Sequence, residues 1–363
     1  MRILLLGEYS NVHATLAKGL KALGHEVVLA SDGDGWKNYV RDVDFSRGRG
    51  FLEKIKFLFR LLINFYHFRK FDVVQLINPI FLEIKAARIY PFYRFLRKHN
   101  RKVFLCALGI DYFWMKVGSN GHTFRYSDFC IGEQSRNYPG LEAQQQDWLN
   151  GKKGILNRFI ASDCDGIIAG LYEYYESYKF YFPKKTTFIP LPIECSSQHR
   201  ESSHSKIRFF IGIQKTRNEY KGTDIMLKAL QIVHAKRPEE CEIVKVESVP
   251  FEQYRKMLDS SDVLLDQLYG YTPGMNALLA MEKGIVVVGG GEPENYQILH
   301  EKNLKPIVNV EPNLQNVIAQ LNWLLDHKSQ LEKLSVESQL YVQKHHDYRN
   351  VAKQYLEFWM HGA

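Results

Sequence analysis

The chain has 363 residues, more than one hydrophobic core ordinarily serves, so two domains are expected. Its composition, 45% hydrophobic and 24% charged with 12 Pro and 25 Gly spread along the chain, excludes a disordered or low-complexity protein. Five dispersed cysteines (Cys106, Cys130, Cys164, Cys195 and Cys241), with no C-x-x-C pair, argue against a disulfide framework or a zinc site, and a reducing cytoplasm fits best. Net charge is +8 and unevenly placed. Residues 1–200 hold 29 Lys and Arg against 19 Asp and Glu, whereas residues 201–363 hold 19 against 21. Within residues 47–102 the ratio is 14 to 3, which suits an anionic partner such as a phospholipid surface or a phosphate-bearing acceptor.

Residues 2–7 (RILLLG) read as a first strand, not a cleavable signal, so no export is expected. A helical pattern over 12–23 and an apolar run at 25–31 complete a β-α-β unit. Glu53, Lys56, Arg60, Asn64 and His67 then recur at helical spacing as one narrow polar stripe, and the wide apolar remainder predicts a helix sandwiched in the fold. Residues 88–102 differ, because Arg88, Arg94, Arg97, Lys98, Arg101 and Lys102 interleave with Tyr90, Phe92, Tyr93 and Phe95, a mixture that suits a lipid headgroup layer. No nucleic-acid motif accompanies the charge, and no nucleic-acid partner is expected.

Short apolar runs at 72–78, 103–109, 165–170 and 186–191 extend a parallel, doubly wound α/β sheet through a domain over 1–195. Residues 196–206, polar and Ser-rich, mark a linker. Alternation restarts in a second Rossmann-like domain over 207–345: strands at 207–213, 241–247, 263–268 and 285–291, with helices at 224–236, 275–283 and 313–326. A last helical pattern fills 346–363.

Two constellations carry chemistry. In GIQKTRNEYKGTD (212–224), Gly212 ends a strand, and Arg217 and Lys221 stand four apart on a turn before a helix. Cations beside free helix N-terminal amides at the carboxyl end of a sheet suit a diphosphate; a solvated charged loop is the plain alternative. In residues 262–294, Gly274, Met275 and Asn276 open a helix whose amides are available to phosphate. Asp266, Asn276, Glu292 and Glu294 are the polar candidates nearby, although each also suits a cap, a turn or solvent. In the first domain, His13 follows the Gly7 turn and Asp111 stands two residues past Gly109. The His is as readily a satisfied surface residue, while strand-end topology turns the Asp toward the ligand side of the sheet.

Leu279-Ala280-Met281-Glu282-Lys283-Gly284 with Ile285–Val288, the Arg217 and Lys221-Gly222 turn, the opening GEYSNVHATLAKGLKALGHEV and ALGIDYFW (107–114) together resemble the retaining, family-four type of GT-B glycosyltransferase, and the likeness covers essentially the whole chain. It implies two Rossmann-like domains facing across a cleft, with the last helix crossing back to the first. It also implies metal-free, cofactor-free retaining transfer of a sugar from a nucleotide diphosphate to a cell-surface glycan or lipid-linked acceptor, and the basic surface of residues 47–102 is expected to dock on the inner membrane leaflet where a lipid-linked acceptor would be presented. Arg217 and Lys221 would contact the diphosphate. The sequence departs from the family at its glutamate pair, where Tyr271 and Leu279 stand, and the family's Pro-Glu favours Glu294 as the substitute. A sugar-nucleotide epimerase or hydrolase of the same fold, or an inactive glycan- or nucleotide-binding relative, are the other readings.

Overall fold

Runs such as Ile3–Leu6 and Phe209–Ile211 have no polar side to show to water, and each lies inside a parallel sheet. The structure, a computed structural model, describes residues 1–48, 50–196, 205–247, 249 and 251–362. Most of the expected linker, residues 197–204, lies outside the described residues. Met1–Val117, Glu142–Glu194 and Tyr348–Ala363 form one unit, and Gly118–Leu141 with Cys195–Asp347 form the other. Gly118–Leu141, expected within the first domain, thus packs in the second unit.

In chain order the elements begin β1 (Arg2–Leu6), α1 (Val12–Ala22), β2 (Glu26–Ser31), β3 (Val43–Asp44), α2 (Phe51–His67), β4 (Val73–Leu76), α3 (Ala86–His99), β5 (Lys102–Ala107) and α4 (Tyr112–Gly118). A hairpin, β6 (Cys130–Ile131) and β7 (Gln134–Ser135), precedes α5 (Leu141–Gln145), α6 (Lys152–Asp163), β8 (Gly166–Ala169), α7 (Tyr172–Tyr181) and β9 (Thr186–Phe188). Unit 1 is built on a seven-stranded parallel sheet in the order β3-β2-β1-β4-β5-β8-β9. Its strands end sooner than the apolar runs suggest. Asn78, for example, turns the chain after β4 by donating to the Leu108 carbonyl (2.6 Å) and accepting from the Ile80 amide (2.8 Å).

The remaining elements are β10 (Ile207–Ile213), α8 (Asn218–Lys221), α9 (Thr223–Lys236), β11 (Cys241–Glu247), α10 (Phe251–Asp259), β12 (Val263–Leu265), α11 (Met275–Glu282), β13 (Val286–Gly289), α12 (Pro293–Ile298), β14 (Val308–Asn309), α13 (Leu314–Asp326), α14 (Leu331–His346) and α15 (Tyr348–His361). Unit 2 holds a five-stranded parallel sheet ordered β11-β10-β12-β13-β14, with a core of Phe209, Ile211, Met226, Leu230, Val263, Leu265, Val286 and Val317. Helix α15 belongs to unit 1. It lies so close to α1 that a Cβ on Gly19 would stand 2.4 Å from the Tyr348 carbonyl oxygen. Tyr355 and Trp359 are its buried anchors, and the Trp359 indole donates to Gln75 (3.1 Å), satisfying an amide deep in the sheet.

One expectation about residues 47–102 is corrected. Helix α2 is not sandwiched: Phe57, Leu61 and Phe65 form its one buried seam, whereas Phe51, Leu52, Ile55, Leu58, Phe59, Leu62, Ile63 and Tyr66 are between 48% and 76% exposed. The polar stripe is partly used for anchoring, since Arg60 donates to the Ser46 carbonyl (2.8 Å). Across residues 88–102 some of the basic and aromatic residues are used by the fold, while Arg88, Arg94, Lys98 and Arg101 are exposed. Tyr93 is buried and donates to Asp163 (2.8 Å), Arg97 pairs with Asp163 and Asp165, Phe92 packs on Phe65, and Lys102 donates to the Trp359 carbonyl (2.8 Å).

Candidate functional site

The carboxyl ends of β10, β12 and β13 meet on one edge of the unit 2 sheet. After β10 the chain makes a short turn, then α8, then Gly222 at φ +72°, a left-handed conformation that suits glycine. A Cβ on Gly222 would also stand 2.7 Å from Leu268 Cβ, so the Lys-Gly turn and the loop after β12 are fitted against each other. The Leu268 amide fixes that fit by donating to the Lys221 carbonyl (2.9 Å). Arg217 is exposed, with its guanidinium over the Tyr220 ring at 4.9 Å.

The loop after β12 leads to α11. Asp266, 8% exposed, accepts from the Asn276 side chain (2.9 Å), and Asn276 accepts from the Tyr254 hydroxyl (3.0 Å). A Cβ on Gly212 would strike the Tyr254 ring at 2.8 Å, so the predicted Gly212, Asp266 and Asn276 converge on a tyrosine that sequence reasoning missed. Helix α11 starts after Gly274 and, among the described residues, has no side-chain cap, and a Cβ built on Gly274 meets nothing within 4 Å. Its first intrahelical bond runs from Leu278 to the Gly274 carbonyl (3.0 Å), so the amides of Met275, Asn276 and Ala277 precede that ladder. The Met275 side chain is buried, leaving its backbone as the part that can serve a ligand. Among the described residues, no three His, Cys, Asp or Glu side chains gather where they could hold a metal ion.

Glu294 is placed differently from its expected role. Arg125 donates to Glu292 (2.7 Å) and grips Glu294 with both terminal nitrogens, and the Tyr126 hydroxyl donates to Glu292 (2.5 Å). Burial would raise the Glu294 carboxyl, but the hydrogen bond and charge of Arg125 hold it below its ordinary value. Tyr271, at the first missing glutamate, is buried; its oxygen accepts the Arg125 amide (2.7 Å) and its ring packs on Tyr126 at 4.8 Å. Arg136 from the same Gly118–Leu141 segment sits 3.2 Å from the Tyr269 ring centroid and donates to the Glu219 carbonyl (2.6 Å). These partners lie more than 80 residues apart in sequence, and no local signal announces them.

In unit 1 the β1–α1 turn is closed on itself. Glu8 is 2% exposed, and its carboxylate accepts the amides of His13 (3.3 Å) and Ala14 (2.8 Å) at the start of α1. Burial raises its pKa to about 7. His13 is buried rather than a surface histidine. Its Nδ1 donates to the Gly7 carbonyl (2.8 Å), its Nε2 has no partner among the described residues, and burial lowers its pKa to about 4, so the ring is neutral. Asp111 is fully buried instead of standing at a ligand-facing strand end: it accepts the Trp114 amide (2.8 Å), capping α4, and the Tyr178 hydroxyl (2.7 Å). Burial lifts it to about 7. Glu8, Tyr9, Asp32 and Glu83 line a small recess of the same unit.

No family model matches the chain, and no curated protein matches it in sequence. Solved structures do match in shape. HepE from Anabaena, in complex with UDP and glucose, is 10% identical with a TM-score of 0.62 over 99% of both chains. Sucrose-phosphate synthase from Thermosynechococcus elongatus is 13% identical with a TM-score of 0.62, over 99% of this chain and 98% of that one. UDP-GlcNAc 2-epimerase from Neisseria meningitidis, bound to UDP-GlcNAc, is 11% identical with a TM-score of 0.55 over 99% of both. Likenesses at such identities speak to architecture, and with the two parallel sheets described above they show that the chain has the GT-B fold.

Proposed function

We propose that the protein is a glycosyltransferase that moves a sugar from a nucleotide-diphosphate donor, seated on unit 2, to a glycan or lipid-linked acceptor, with retention and without a metal or other cofactor. The observation that carries this reading is the uncapped start of α11 at Gly274, open to approach and lying on a loop bonded to the Lys221-Gly222 turn. Three backbone amides and the helix dipole favour a diphosphate there, and Arg217 and Lys221 add charge. As the glycosidic bond breaks, negative charge grows on the leaving phosphate, and these groups offset it. The leaving oxygen takes the acceptor proton, so no protein base is needed. Asp266 and Asn276, bonded to each other at the start of α11, supply polar contacts to the donor, while Glu294 is held by Arg125. The solved structures named with UDP make a uridine donor the first to test. The protein works in the cytoplasm at an anionic inner-membrane face, approached through residues 47–102, in assembly of cell-surface glycans.

A second reading, an epimerase or hydrolase on the same nucleotide sugar, is favoured by Glu292 and Glu294 beside the Gly-rich loop. It is opposed by their engagement with Arg125 and Tyr126. UDP, GDP and ADP should be screened by thermal shift. At least one stabilises the protein, and an Arg217→Ala, Lys221→Ala double variant loses most of that shift. Normal binding by the variant would refute the donor site, and no shift with any nucleotide would favour an inactive relative. Incubation with nucleotide sugars alone then separates the two enzymes: slow hydrolysis names the donor, whereas an epimer establishes the second reading.

A further inference from the structure

Helix α2 touches unit 1 along one seam, while an arc of about 140° around its axis, at ~100° per residue, carries large apolar side chains exposed to water. Leu52, Ile55, Phe59, Leu62 and Tyr66 recur at alternating spacings of three and four and so share one line along the helix. An apolar surface of this extent is seldom left bare. Cations border it. Exposed Lys56 falls at one edge, exposed Lys54 lies about 40° beyond the other in the first turn of the helix, exposed Arg47 and Lys70 stand beyond its ends, and the helix's one carboxylate, Glu53, is paired with Lys56 (2.7 Å). Helix α3, which meets α2 where Phe92 packs on Phe65 (4.5 Å between centroids), adds exposed Arg88 one turn before Phe92.

We propose that α2 lies in the headgroup layer of an anionic lipid leaflet, with Leu52, Ile55, Phe59 and Leu62 reaching the acyl chains and Lys54 and Lys56 meeting lipid phosphates. An amphipathic helix with Phe and Leu on one side and Lys along its borders binds such a surface in plane, by apolar burial and electrostatic attraction together. Charge selects this occupant over a second copy of the chain, because an isologous contact through α2 would set Lys54 and Lys56 against their own counterparts. The inference rests on the membrane reading of residues 47–102 and moves the inserted element from α3 to α2. Among the described residues no helix is long and apolar enough to cross a membrane, so the contact is peripheral there.

The test is flotation of the full-length protein with vesicles of phosphatidylcholine alone or mixed with phosphatidylglycerol, at low and moderate salt and without nucleotide, so that its outcome is separate from that of the donor site. The protein should favour the anionic vesicles by about tenfold or more at low salt. A Leu52→Gln, Ile55→Gln, Phe59→Gln, Leu62→Gln variant, altered only at exposed positions, should lose about tenfold or more of that binding while its circular dichroism and melting temperature are retained. A Lys54→Glu, Lys56→Glu variant should lose the preference for anionic lipid. Equal binding to both vesicle types, wild-type binding by the Gln variant, or a dimer that the Gln variant dissociates without any vesicle binding would each overturn the proposal.

Discussion

Helix α1 of unit 1 and helix α11 of unit 2 each follow a parallel strand, and the start of each is a place where an anion is welcome. Unit 1 fills its place from within, because the Glu8 carboxylate accepts the His13 and Ala14 amides. Unit 2 leaves its place open, with Gly274 at the cap position and, among the described residues, no side-chain cap on α11. Rossmann-like topology alone therefore does not make a phosphate site. What decides is whether a side chain from the preceding turn reaches the helix-start amides: Glu8, four residues before Val12, does so in unit 1, whereas Asn11 at the cap position of α1 makes no such bond.

The comparison can be broken at several points. Glu8→Ala empties the α1 cap and leaves two amides without their partner, which should cost about 2 kcal/mol in chemical denaturation and leave nucleotide affinity unchanged. A matching loss of affinity would mean that unit 1 also holds the donor. Arg125→Ala leaves the buried Glu292 with the Tyr126 hydroxyl but without its cation and frees Glu294, and because Arg125 is half exposed the expected loss is about 1–2 kcal/mol, concentrated in unit 2. Unchanged stability would show that the Gly118–Leu141 segment is held by its aromatic contacts and its other hydrogen bonds, such as Tyr126 to Glu292 and Arg136 to the Glu219 carbonyl, without the Arg125 ion pairs.

A smaller effect appears in pH dependence. Glu8 is raised to about 7 in the folded protein, so its contribution to stability is fully present below pH 4.5 and is lost as pH rises through 7. His13 runs the other way: lowered to about 4, it stabilises above pH 6.5 and loses that contribution as pH falls through 4. Glu8→Gln keeps an acceptor for the helix amides but removes the first titration, so stability measured between pH 4.5 and 7 should rise more steeply with pH than in the wild type. An unchanged profile would show that Glu8 titrates at its ordinary value.

Much of the architecture was legible in the sequence. Strands buried on both faces are continuous apolar runs, and the two sheets could be read from them. What escaped had no such signature: β3 and the β6–β7 hairpin are two residues long per strand, and α14 buries only Ser338, Tyr341, Val342 and His346 of its sixteen residues. For α2, periodicity gave the width of the apolar face but not which part of it the fold covers. At the candidate site, Gly212, Asp266, Asn276 and the α11 start were readable because strand-to-helix turns place them. Arg125 was not, since its carboxylate partners are 167 and 169 residues away. The Arg125 partner of Glu294 was hidden for the same reason, and Asp111 was misplaced because burial, with a cap and a tyrosine partner, leaves it no exposed edge.

The most direct test of the account is to give α11 the feature that closes α1. Gly274 has φ −78° and ψ 177°, which aspartate adopts readily, and its Cβ has open space, so Gly274→Asp should cap α11 and leave the fold intact. Calorimetric titration of wild type and variant with UDP, GDP and ADP should show the wild type binding at least one nucleotide and the variant binding it about tenfold or more weakly, without loss of thermal stability. Equal affinity in the two proteins would contradict the account, because the diphosphate would then not be held at the start of α11.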